Sequence, residues 1–239
     1  MTLTDQRVVV LGGTSGIGLA TATMVAREGA RVAVASSSQS SVDRALATLP
    51  DGSAGYAANL TEPADVARLF ADLGPFDHLV YTAGEPLALM SLDTLDLDAA
   101  RTAFELRYFA ALSTINAAIP FLRPGGSITL ITGTAKDRPS PGWSVASSIT
   151  GAIDALVRAL AVELAPVRVN AVSAGVIRSP LWDSLPDEAR EQMYGHLETT
   201  LPLGRVGTPE EVAEAFVFLL RASYVTGTVV TVDGGTLIA

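Results

Sequence analysis

The stretch Val8–Gly18, VVVLGGTSGIG, decides the fold. Three β-branched residues run straight into a glycine cluster, and the helix-compatible LATATMVAREGA follows, so the stretch reads as strand, tight turn, helix. Each glycine has a physical task. Gly12 lets the chain turn at the strand end, Gly16 lets the backbone approach a pyrophosphate, and Gly18 lets the helix pack closely on the sheet. The exposed N–H groups at that helix N-terminus favour a phosphate anion, which brings Thr14, Ser15 and Ile17 into the candidate binding set. The same glycines also suit an ordinary strand-to-helix loop, so the turn alone is weak evidence.

Composition limits what can surround this stretch. At 239 residues, 49% hydrophobic and 17% charged, the chain can bury one large core as a single domain. A formal charge of −9 with scattered arginines argues against a nucleic-acid partner. Cysteine is absent, which removes disulfides and thiolate metal sites. The start, MTLTDQR, lacks the regions of a signal peptide, and no apolar run is read as reaching the roughly 20 residues of a spanning helix. The expectation is a cytoplasmic protein without a membrane partner.

Strand-like and helix-like segments alternate along the chain. Strands are expected at Arg31–Ala35, Tyr56–Leu60 and Asp77–Thr82, with helices near Val42–Leu49 and at Glu62–Leu73, where Pro63 suits the first turn. Asp98–Leu122 has apolar residues at helical spacing, and PGGSITLIT then turns into a fifth strand. A long Ala-rich helix runs from Trp143 to Leu164, followed by a strand at Val167–Val172. Residues Leu181–Leu203 are more polar and are expected to form a mobile helical insertion over a site. Glu210–Leu220 is a helix with Thr208 as N-cap and Glu211 three residues on, and Val229–Val232 is the last strand. This rhythm predicts an α/β fold: a Rossmann-like, doubly wound, seven-stranded parallel sheet with helices on both faces.

Several motifs in order resemble those of the short-chain dehydrogenase/reductase family. The G-x-x-x-G-x-G spacing at 12, 16 and 18 is similar to its fingerprint, with Leu11 where a Thr normally stands. Asn59 and Leu60 occupy the place of an Asp and a hydrophobic residue beside the adenine ring. Tyr81, Thr82, Ala83 and Gly84 match the family's Asn-Asn-Ala-Gly with both Asn positions altered. VRVNAVSAGVIRSP, residues 167–180, resembles the family's stretch ending in Pro-Gly, with Ala174 for the Pro and Gly175 kept; Ile177 and Ser179 would face the nicotinamide amide. The ending VTGTVVTVDGG is also similar. The resemblance implies a nicotinamide-dinucleotide oxidoreductase and a homo-oligomer, dimer or tetramer, paired through the two long helices.

The end of the second strand bears on which dinucleotide. A carboxylate there accepts hydrogen bonds from the ribose hydroxyls and repels a 2′-phosphate. Ser36, Ser37 and Ser38 stand here instead, and hydroxyls can donate to a phosphate, so NADP(H) is expected over NAD(H).

The catalytic positions depart from the family. Through the helix SSITGAIDALVRALAVEL, its Tyr falls on Ala146 and its Lys, which also holds the ribose, on Thr150; its Ser falls near Gly133 and its Asn on Arg107. The only lysine is Lys136, and four places before it stands Thr132, so no Tyr-x-x-x-Lys pair exists in any register. Three classes stay open: a reductase whose acceptor needs little protonation, such as an imine, an iminium or a polarised conjugated system; a cofactor-binding protein without turnover; and a cyclase or lyase using the same pocket. Substitute groups are Arg107, whose guanidinium can hold a carboxylate or carbonyl, Thr132 beside Thr134, and Lys136 with Asp137 and Arg138 in the loop after the fifth strand. Trp143, Tyr108 and Tyr194 are candidates for the pocket wall, His196 for reaching it, and His78 for a structural role. No His or carboxylate cluster has metal-ligand spacing, so no metal is expected.

Overall fold

The computed structural model describes residues 2–239 apart from Pro86 and Ala88. Val8, Val9 and Val10 form β1 (Arg7–Leu11) and are at most 1% exposed, because helices cover both faces of the strand. Parallel pairing then builds a seven-stranded sheet from β1, β2 (Arg31–Ser36), β3 (Ala54–Ala57), β4 (Phe76–Tyr81), β5 (Leu122–Gly133), β6 (Arg168–Ala174) and β7 (Val229–Val232). Its order is β3-β2-β1-β4-β5-β6-β7, so the chain reverses its direction of travel between β1 and β4. The crevice at the carboxyl ends of those two strands is where such sheets bind ligands.

Two cores sandwich the sheet. One face carries α3 (Pro63–Leu73), α5 (Ala110–Ala118) and α6 (Ser144–Glu163), which bury Phe70, Ile115, Val157 and their neighbours against Leu79, Ile128 and Val169. The other carries α1 (Gly16–Arg27), α2 (Gln39–Leu46) and α8 (Pro209–Arg221), with Val25, Phe216 and Leu220 over Val8, Val10 and Val34. Each such side chain contributes about 1.5–3 kcal/mol of burial. The capping box read at Thr208 is formed, its N–H donating to the Glu211 carboxylate at 2.9 Å.

Three elements differ from the sequence reading. The third strand stops at Ala57, because the Asn59 side-chain oxygen Oδ1 accepts from the Thr61 amide (3.2 Å) and hydroxyl (2.9 Å), a local turn that ends the ladder. The helix expected over Asp98–Leu122 is α4 (Leu97–Phe104) and α5 joined by a π-helical turn at Glu105–Phe109, where the Ala110 amide reaches back to the Glu105 carbonyl. α6, finally, is 20 residues long and apolar enough to cross a bilayer by length and composition, contrary to the reading that no run reaches that length. Its apolar residues are used in the core: Ile153, Leu156, Val157 and Leu160 pack onto the sheet.

The segment 181–203 holds α7 (Asp187–Thr200) on a small cluster of its own, built from Trp182, Tyr194 and Val206. Arg178 fastens it. The guanidinium lies 4.3 Å from the Tyr194 ring centroid and reaches Glu191 at 3.3 Å and Glu198 at 3.0 Å.

His78 is structural, as its place at a strand start suggested. It is 1% exposed beside Ser127 in the β4–β5 register; its Nε2 donates to the Gln6 side-chain carbonyl at 2.8 Å and its Nδ1 accepts from the Ser127 hydroxyl at 2.8 Å. Burial, reinforced by the nearby Arg168 cation, pulls its pKa down to about 4. The folded state thus binds this proton less readily than the unfolded chain. Stability from neutral His78 is complete above the unfolded value of about 6.5 and is lost as pH falls from there toward 4. We expect a loss of about 2 kcal/mol at pH 5 relative to pH 7.5 from this group. Urea unfolding at the two pH values should show it, and His78→Gln should flatten the dependence by that amount.

Candidate active site

The β1–α1 turn is built as the glycine spacing requires. Gly12 has φ +79°, and a Cβ there would stand 2.6 Å from the Ala83 nitrogen; one on Gly18 would collide with the Gly12 carbonyl. The turn therefore lies directly against Thr82 and Ala83, as the sequence motifs require if they share one ligand. Ser15, the N-cap of α1, makes no side-chain cap hydrogen bond, which leaves the first-turn amides without a protein side-chain cap. A backbone cradle that a Cβ would fill, with an uncapped helix N-terminus at its rim, fits a dinucleotide pyrophosphate held by Thr14, Ser15, Gly16 and Ile17.

At the end of β2 the three serines divide their work. Ser38 caps α2 by accepting from the Ser41 amide at 3.4 Å and shares a hydroxyl bond with Ser40 at 2.9 Å; Ser36 accepts only a long bond of 3.5 Å from the Ser38 amide. Ser37 is exposed. Of the adenine-side candidates, Leu60 is buried in the core, while Asn59 is exposed and its side-chain oxygen serves the Thr61 turn.

A cavity of about 140 Å³ continues from this cradle. Ile17, Ala83, Gly175, Ile177 and Ser179 line its cofactor end; Gly133, Thr134, Trp143, Ala146 and Thr150 line the other. The positions expected for Ser, Tyr and Lys thus meet in one wall, and no acid or base stands at any of them. Most of the polar groups around them are committed. Thr132 donates to the Thr150 carbonyl at 3.2 Å, Thr150 to the Ser147 carbonyl at 3.1 Å, Tyr81 to the Leu106 carbonyl at 2.6 Å, and the Trp182 indole to the Ile177 carbonyl at 3.1 Å. Burial, helped by the Glu85 charge, pushes the Tyr81 phenol well above its ordinary pKa, so it stays protonated.

Arg107 comes from the π-helical turn and lines the cavity rather than facing solvent. Its guanidinium donates to the Glu85 carbonyl, lies 4.0 Å from the Glu85 carboxylate, and packs under Gly84, where any Cβ would strike it. Burial lowers its pKa from the usual value, though Glu85 opposes the shift. Glu85 escaped the sequence reading; the signal for it was its place directly after the Ala83–Gly84 pair.

The loop after β5 corrects the reading of Lys136. Its amine is absent from the cavity wall: it pairs with Asp154 of α6 at 3.2 Å and with Asp137. Burial works against the charge, but those two hydrogen bonds outweigh it and raise the pKa. Arg138 is likewise committed, to the carbonyls of Thr236 and Ala239. The three charges hold α6 and the chain end, and none of them lines the cavity. Of the aromatic candidates, Trp143 lines the cavity with Trp182, their ring centroids 6.3 Å apart. Tyr108 packs edge-on against Phe104 and Phe109, Tyr194 lies under Arg178, and His196 is exposed on α7.

Comparison with known proteins agrees with this geometry. A model described as an SDR-like Rossmann domain matches residues 1–239. The chain is 35% identical to the short-chain dehydrogenase/reductase fsr5 of Gibberella fujikuroi, over 99% of this chain and 96% of that one. Among solved structures, MalC reductase/Diels-Alderase from Malbranchea aurantiaca superposes with a TM-score of 0.91 at 26% identity, covering 100% and 98% of the two chains. A short-chain oxidoreductase of Pseudomonas aeruginosa PAO1, solved with NADPH and described as containing an atypical catalytic center, superposes at 0.89 with 27% identity over 98% of each chain. A nicotinamide cradle on this sheet order, matched along its whole length, makes the chain a member of the short-chain dehydrogenase/reductase family and an oxidoreductase.

Proposed function

We propose that the protein is an NADP(H)-dependent reductase of a small molecule whose acceptor carbon is already electrophilic: an imine, an iminium or a polarised conjugated system. One observation carries this reading. A fitting dinucleotide cradle opens into a cavity where the acid–base positions hold Gly133, Ala146 and Thr150. When bound, the dinucleotide supplies a hydride. Alcohol oxidation would also need a base for the hydroxyl proton, and the ionisable side chains among the described lining residues are Tyr81 and Arg107. Tyr81 holds its proton on the Leu106 carbonyl, and Arg107 is a permanent cation. Loss of a positioned acid or base costs about 10²–10⁴ in rate, whereas an iminium needs no proton in the hydride step. The protein's part is to orient the acceptor, exclude water and shape the field.

A second reading draws on MalC, named a reductase/Diels-Alderase. The largely apolar walls here, from Leu130, Ile149, Ile153, Leu181 and Trp182, support a pocket that folds an apolar substrate for ring closure with the dinucleotide as part of the wall. The direct test is NADPH consumption with a panel of cyclic imines and activated enones, beside NADP⁺ reduction by simple secondary alcohols. We expect turnover on the panel and none on the alcohols. NADPH binding without consumption would favour the ring-closing reading or a protein without turnover, and robust alcohol oxidation would refute the loss-of-base argument.

The NADP(H) preference rests on Ser36 and Ser37, whose hydroxyls are the less committed of the three. The Pseudomonas aeruginosa neighbour with NADPH supports it. Calorimetry should give tighter binding of NADPH than NADH. Ser36→Asp, by placing a carboxylate against the 2′-phosphate, should weaken NADPH about ten-fold or more and leave NADH little changed.

Arg107 is assigned an electrostatic and orienting role at the acceptor end. Its removal also costs stability, because the guanidinium holds the Glu85 carbonyl and packs under Gly84. Arg107→Ala should lower kcat/KM on the imine panel by about 10²-fold and also lower the Tm by several degrees. NADPH affinity, measured by calorimetry, should stay near wild type; unchanged turnover would remove Arg107 from the site.

A further inference from the structure

Three polar side chains on the cavity wall have no hydrogen-bond partner among the described residues: Ser179, Trp143 and Thr134. Ser179 stands at the cofactor end, and Trp143 is half-buried at the other. Thr134 is different. It is 7% exposed, follows directly on Gly133, and opens the short helical turn Thr134–Lys136 that the Lys136–Asp154 pair pins against α6. Its hydroxyl is not sealed from the cavity, and a donor left without a protein partner there is satisfied by what the cavity binds. The neighbouring Thr132, the sequence candidate, is excluded as donor because its proton already goes to the Thr150 carbonyl.

We propose that Thr134 is the residue that hydrogen-bonds the acceptor group of the substrate, its hydroxyl serving in place of the side chain missing at Gly133. The cavity wall around it is largely apolar, from Leu130, Trp143, Ile149 and Ile153. The ligand this suits is an apolar ring system carrying one hydrogen-bond acceptor, which packs between Trp143 and the aliphatic wall. The assignment rests on the reductase reading only for placing that acceptor beside the hydride donor.

The two tryptophans of the chain both line the cavity, so their emission reports on its occupancy. The test titrates NADP⁺-saturated protein with 1-tetralone, which has a neutral carbonyl acceptor, and with tetralin, the same ring system without it. Thr134→Val keeps the shape and removes the hydroxyl, and Thr134→Ser restores one. We expect Thr134→Val to weaken 1-tetralone about ten-fold, to leave tetralin unchanged, and Thr134→Ser to return close to wild type. Equal loss for both probes, no loss for either, or no binding of 1-tetralone to the wild type overturns the assignment. If the selective loss appears while no imine or enone consumes NADPH, Thr134 stands as the acceptor contact and the reductase reading falls.

Discussion

The close approach of three backbone segments at the end of β1 governs the rest of the molecule. Gly12, Gly18 and the Thr82–Ala83 segment lie so near one another that a Cβ on either of the first two would force them apart. That contact fixes α1 against the sheet, sets its uncapped N-terminus at the crevice between β1 and β4, and brings the loop after β4 beside it. The cradle and the cavity are neighbours because this one packing requirement joins the elements that carry them. Both cores extend outward from the strands so positioned.

Below the cradle the site is governed by how donors are used. A cavity can be lined by hydroxyls and still offer few of them, since a threonine near a helix carbonyl spends its proton there. Thr132 and Thr150 do so, and Tyr81 does so at the π-helical turn, where the Leu106 carbonyl takes its hydroxyl. The same turn carries Arg107 into the cavity, and Glu85 then balances its charge. The outcome is a chamber of low polarity beside the glycine cradle.

The seven-stranded parallel sheet and the glycine turn were legible in the sequence, because hydrophobic periodicity and glycine position act locally and β-branched runs such as Val8–Val10 have few alternatives. The absence of a Tyr-x-x-x-Lys run can be read from the sequence alone, since the chain has one lysine and Thr132 stands four places before it. What escaped was pairing across space. Nothing in the run Lys136–Arg138 says that Asp154, eighteen residues on in α6, closes on the Lys136 amine, and three adjacent charges read equally well as a site or as struts. The π-helical turn was hidden for a similar reason: its residues have ordinary helical spacing, and the wide turn coincides with a tertiary bond from Tyr81. Thr132 and Thr134 were indistinguishable by composition; only the position of the Thr150 carbonyl separates them.

The pairing of Lys136 also sets its reactivity. It is the one lysine in the chain, and its ammonium is held between Asp154 and Asp137. A protonated, carboxylate-bound amine is a poor nucleophile, so reagents that acylate amines modify Lys136 slowly at neutral pH, and its resistance to them reports that the loop after β5 is still held against α6.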